Sequence, residues 1–212
     1  MRAWIFRLWV WFALKVGVYY WWSKVYQRYT GWPYRKCGPL PKYDRLEDLE
    51  RFLGSIKWEK DGLLALYDAI DSPKATYWKW VLRVDDRGLM GRDCDDIALL
   101  AADRIKDMAL RGVLACLGVH ARFVYLLTVI WRAGGKAAGH NVCLYRYVEP
   151  GGSIRWAHVG NWNAGRSVTG FVAPENAVRD VLRGAGADEC VGWAMATLDL
   201  KLVCYNDGKG ML

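Results

Sequence analysis

The spacing of apolar positions changes character near Gly118: helical before it, alternating after it. Residues 3–29 are apolar or aromatic almost throughout, and the pattern predicts one helix there, ended near Gly31-Trp32-Pro33. Pro33, Gly38, Pro39 and Pro41 mark 31–42 as a linker. Helices are expected over 45–54, where Asp44 can cap, and over 62–70 and 73–84. Arg83–Gly88 reads as a loop, and a longer helix runs from Asp93 to about Leu110. Strands follow over Arg122–Trp131, His140–Tyr147 and Ile154–Val159, separated by Gly134-Gly135 and by Pro150-Gly151-Gly152. Ala173–Gly184 reads as a short helix, and Val191–Tyr205 as one or two closing strands. Helices followed by an antiparallel meander predict an α+β fold.

Composition sets the outer limits. Of 212 residues, 53% are hydrophobic and 25% charged, enough to bury a core and to exclude a fully disordered chain. No uncharged apolar run approaches the roughly 18 residues of a membrane span, which excludes a polytopic membrane protein. The net charge of +8 is local. Residues 1–42 hold eight Lys and Arg and no acid, while the other 170 residues hold 22 of each sign. The same segment carries six of the 13 Trp and five of the 12 Tyr. It starts like a signal peptide, but Leu8–Leu14 is short, Lys15 ends it, and no small-x-small cleavage site follows. Residues 1–42 therefore read as a basic aromatic arm and linker, and 43–212 as the main domain. The arm is expected to pack on its own domain or a neighbouring subunit, or to lie in a membrane interface. Nucleic acid is disfavoured, because the aromatics are too dense and too little spaced by polar residues.

None of the six cysteines forms a C-x-x-C pair, which argues against a zinc ribbon or a thioredoxin-like motif. They read as thiols in a reducing compartment, and no pattern calls for a metal or cofactor. Cys94 stands apart. On a helix at about 100° per residue, Cys94, Ile97, Ala98, Ala101, Ile105 and Met108 share one side, and Asp95, Asp96, Asp103, Lys106 and Asp107 the other. Cys94 then lies in the first turn, capped by Asp93, on the side that packs against the domain. The helix dipole there favours the thiolate, and a cationic partner would complete the activation. His140 opens a strand after a Gly-rich turn, and Asn161 ends the next strand. Thiol, imidazole and an orienting polar group in that order suit acyl transfer. The rivals are a buried structural cysteine, His158 as a competing base, and a structural His120.

Gly91-Arg92-Asp93-Cys94-Asp95-Asp96-Ile97-Ala98-Leu99-Leu100 resembles the G-x-C-x-[DE]-x-A-x-L cysteine motif of the transglutaminase-like superfamily. It is most similar to that of the bacterial transglutaminase-like cysteine proteinases. Leu117–Val124 is similar to the step into the family's first strand, with His120 in place of its proline. Gly139-His140-Asn141-Val142 is similar to its histidine strand, and His158-Val159-Gly160-Asn161-Trp162 to its acidic strand end. The resemblance covers roughly residues 85–165. It implies a papain-like fold, with N-terminal helices and an antiparallel sheet packed on the cysteine-bearing helix. It also implies a triad acting on amide bonds of a protein or peptide, without a cofactor. Carried over, Cys94 is the nucleophile, His140 the base and acid, and Asn161 the orienting group where the family usually has Asp. The Cys94 N–H would hold the oxyanion, joined by Trp78 or Trp80. The other reading is a non-catalytic structural or docking component on this scaffold, for example of a phage particle, attached through the arm.

Overall fold

The computed structural model describes residues 3–30, 32–56, 70–82, 93–163 and 165–211; for Ala3, Tyr29, Thr30 and Trp162 it describes the backbone alone. The expected helix over 62–70, the loop Arg83–Gly88 and the Gly91-Arg92 pair lie wholly or largely outside the described residues.

Among the described residues, six α-helices and one antiparallel sheet make an α+β fold. The helices are α1 Ala3–Leu14, α2 Val18–Thr30, α3 Leu46–Ser55, α4 Pro73–Val81, α5 Cys94–Leu110 and α6 Pro174–Gly184. The strands are β1 Val124–Ala133, β2 Lys136–Val148, β3 Ile154–Val159, β4 Val168–Phe171, β5 Glu189–Ala196 and β6 Leu202–Asn206. The sheet order is β4-β3-β2-β1-β5-β6, so central β1 pairs with its hairpin partner and with a strand from far along the chain.

The two faces of the sheet are covered differently. On one, Cys143, Tyr145, Ala157 and Val159 pack against α3 and α5, while Leu126, Ala194 and Ala196 pack against α1, α2 and α5. On the other, Leu127, Val129, Val142, Leu144 and Trp193 pack against Ala177, Val178, Val181 and Leu182 of α6. The period-2 alternation of the strands decides which residue meets which layer. In α5 both Ile97–Ala102 and the two preceding aspartates are buried, because sheet, arm and α4 enclose that end.

The single helix expected over 3–29 is two helices. Gly17, at φ +81°, takes a left-handed conformation that side-chain-bearing residues resist, and the chain turns there. The arm is also not set apart from 43–212. Phe6, Val10, Leu14 and Tyr20 line one side of α1 and α2 at helical spacing, and they complete one core with Ala98, Leu99, Leu126 and Val191. The boundary at residue 42 therefore cuts through one core.

Candidate functional site

Cys94 begins α5 and is half-buried. Asp93 caps the helix, its carboxylate accepting from the Asp95 N–H at 3.2 Å. Cys94 therefore lies at the positive dipole end of a 17-residue helix, where the Asp95 and Asp96 N–H groups are already taken by the Asp93 and Asp95 carboxylates. None of the six cysteines is joined in a disulfide.

Asp95 and Asp96 do not face solvent, as their position opposite the apolar stripe suggested. They are 1% and 3% exposed. Tyr19 of α2 donates to Asp95 Oδ2 at 2.7 Å, and the Asp71 N–H donates to Asp96 Oδ1 at 2.6 Å. Lys79 of α4 makes a buried ion pair with Asp71. The arm tightens the same junction: Ser23 Oγ accepts from the Ile70 N–H at 3.1 Å, and Gln27 donates to the Asp71 carbonyl at 3.3 Å. Burial, then the charges of Asp71 and Asp93, push the Asp96 carboxyl well above the usual carboxylate range, which favours its neutral form. Ligand atoms of Asp93, Asp95 and Asp96 lie within 4.8 Å of one another. That is close enough to hold a cation, but each is already engaged within the protein.

The histidines gather elsewhere. His140 pairs across the ladder with Val129, and shares a side of β2 with Val142 and Leu144. It therefore faces α6, with Asn141 turned to the α5 layer. There Asn141 accepts from Thr128, and its amide lies 3.5 Å from the Tyr19 hydroxyl. His158, also on the α6 side, bonds Asp180 of α6 through Nε2 at 3.0 Å and stacks on Phe171 with centroids 5.5 Å apart. Burial first, then neighbouring His158, lowers His140 from 6.5 to about 4, so it is neutral near pH 7. His120 is exposed and meets Phe123 edge-on.

Asn161 opens the short 3-10 turn Asn161–Asn163 directly after β3, and that turn packs against both α3 and α5. Its Oδ1 is buried with no hydrogen-bond partner among the described residues. Of the three expected site residues, Cys94 and Asn161 thus stand on adjoining elements, whereas His140 faces away from α5 across the sheet. Trp78 is committed elsewhere, its indole donating to the Gly38 carbonyl at 3.1 Å, and Trp80 packs partly buried beside the α5 core.

No protein-family model, curated protein or solved structure matches this chain. The site is therefore argued from its own residues. Sequence reasoning missed the buried Asp71–Lys79–Asp96 junction and Asp180. The expected start of a helix at residue 73 agrees with α4, which Ser72 caps by accepting from the Ala75 N–H at 3.2 Å. Nothing in the spacing, however, signalled that Lys79 turns inward.

Proposed function

We propose that this chain carries out cysteine-dependent acyl transfer on amide bonds of a protein or peptide, as a transglutaminase-like peptidase or amidase, with Cys94 as nucleophile. The observation that carries the reading is the half-buried Cys94 at the capped N-terminus of α5, a helix that packs against the turn holding Asn161. In the proposed reaction His140 takes the Cys94 thiol proton and the sulfur attacks the amide carbonyl carbon. The Cys94 N–H supports the oxyanion, and the C–N bond breaks as His140 gives a proton to the departing amine. Water or a second amine then resolves the thioester, with His140 taking its proton. The reading requires the His140 imidazole on the α5 side, so it requires the start of β2, next to Gly139, to rearrange when substrate binds.

A second reading has its own observation. Burial lowers His140 to about 4, and its strand turns it to α6; both suit a non-catalytic docking component on the same scaffold. One experiment separates the two. A thiol-reactive amide-mimic probe is applied to wild type, Cys94→Ala and His140→Ala, with exposed Cys116 as the internal reference. Labelling at Cys94 that outpaces Cys116 and falls in His140→Ala supports the enzyme. Labelling no faster than at Cys116, and unchanged in His140→Ala, supports the docking component.

A further inference from the structure

The outward side of the arm is the least ordinary surface of the molecule. With Phe6, Val10 and Leu14 turned to the core, α1 leaves Trp4, Ile5, Leu8, Trp9, Trp11 and Phe12 exposed. Trp21, Trp22 and Trp32 continue this beyond the Gly17 turn. Of the eighteen exposed large apolar side chains among the described residues, eleven lie in 4–32. Monomers rarely leave a concentration of that kind in water. An apolar recess of about 390 Å³ opens beside it, lined by Trp4, Leu8, Trp11 and Tyr205 together with Arg7, Lys209 and Asp207.

Charge says what covers this surface. Residues 1–42 carry eight basic side chains and no acidic one. Arg7 is spent on Glu189 of β5, but Lys15, Arg28, Arg35, Lys36 and Lys42 stand exposed, Lys15 with its ammonium 5.9 Å from the Trp11 ring. A second copy would set two basic arms against each other without a single acid of their own. A bilayer bearing anionic headgroups meets both requirements, because tryptophan settles at the headgroup level and each nearby Lys or Arg is attracted. Length fixes the orientation. The 12 and 13 residues of α1 and α2 rise about 1.5 Å each, well short of the roughly 30 Å hydrocarbon core. No described helix is long and apolar enough to cross a membrane. We propose that α1 and α2 form an interfacial hairpin that lies flat on an anionic lipid bilayer, outer side down, with the sheet domain held above it through the Phe6–Val10–Leu14 stripe.

The test uses the full chain with phosphatidylcholine vesicles made with and without phosphatidylglycerol. Wild type is expected to sediment with the phosphatidylglycerol vesicles, more weakly as salt rises. Trp4→Ser/Phe12→Ser/Trp21→Ser removes three exposed side chains, leaves the circular dichroism spectrum unchanged, and lowers vesicle affinity at least about tenfold. Lys15→Gln/Arg28→Gln costs about fivefold per charge on the anionic vesicles alone. Absence of binding to phosphatidylglycerol vesicles overturns the proposal, as does undiminished binding by the triple variant. So does a wild-type dimer that the triple variant dissociates while neither vesicle is bound; that result would assign the surface to a second copy.

Discussion

Asp96 is a buried carboxyl whose neutral form is favoured by burial, and its sign of pH dependence follows. Its folded value is raised, so its contribution to stability is complete below the unfolded value of about 4 and is lost as pH climbs through the folded one. Asp96→Asn keeps the oxygen that accepts from the Asp71 N–H and cannot ionise. It should hold its melting temperature on the alkaline side where wild type declines; parallel alkaline slopes would contradict this. His140 has the opposite sign. Its value is lowered to about 4, so as pH falls from 6.5 towards 4 the unfolded chain takes up a proton that the folded chain refuses, and stability drops. His140→Gln should flatten that acid limb in urea unfolding. The Lys79–Asp71 pair, with both side chains 2% exposed, belongs with buried pairs whose rupture costs about 3–5 kcal/mol. Lys79→Met should show a loss of that order by chemical denaturation, and adding Asp71→Leu should restore much of it. Cys94→Ala should cost about 1 kcal/mol in stability, and about 10⁶ in turnover if Cys94 works within a triad. Retained turnover with an amide substrate would remove Cys94 from the reaction.

Among the elements, the turn after β3 depends on a glycine. Gly165 has φ +78°, and a Cβ there would run into the Glu50 carbonyl and the Gly54 nitrogen of α3. Gly165→Ala should push the Asn161 turn off α3 and lower the melting temperature sharply. At Gly17 no atom stands within 4 Å of the same position, so Gly17→Ala should cost only the backbone strain, about 1–2 kcal/mol. The elements best legible in the sequence were those with a clear period or cap. The start of α5 at Asp93, both ends of β3, and α6 to within a residue follow from capping, alternation and Pro/Gly punctuation. β4 escaped notice because four residues including Gly170 carry no period. The side of β2 that meets α5 was not legible for a different reason. Val142 and Leu144 on one side and Cys143 and Tyr145 on the other are all buried, so no polar row marks which side faces which layer. Asp95 and Asp96 misled through the rule that charged residues face water, which yields where tyrosine and backbone donors from other segments meet them.

Across the whole molecule, the arm is structural as well as a surface. Burying Phe6, Val10, Leu14 and Tyr20 is worth about 1.5–3 kcal/mol each, together comparable to the 5–15 kcal/mol by which a typical domain is stable. Tyr20 adds a hydroxyl contact with Thr128 at 3.2 Å in the sheet centre. Deleting residues 1–30 should therefore yield an insoluble or unfolded product; a soluble, cooperatively melting fragment would refute this. That α1 rests on β5, through Arg7 to Glu189 and Val10 against Gly192, has a consequence for biosynthesis. A ribosome completes residues 3–14 about 180 positions before it reaches Glu189–Ala196. At roughly 5–20 residues per second, the stripe that will become core waits on the order of ten seconds or longer with no docking surface yet made. In that interval both sides of the helix are naked, so the nascent chain is at its most aggregation-prone long before its fold can close. A chaperone or a lipid surface that shelters the segment early would raise the yield of folded protein without altering its final stability.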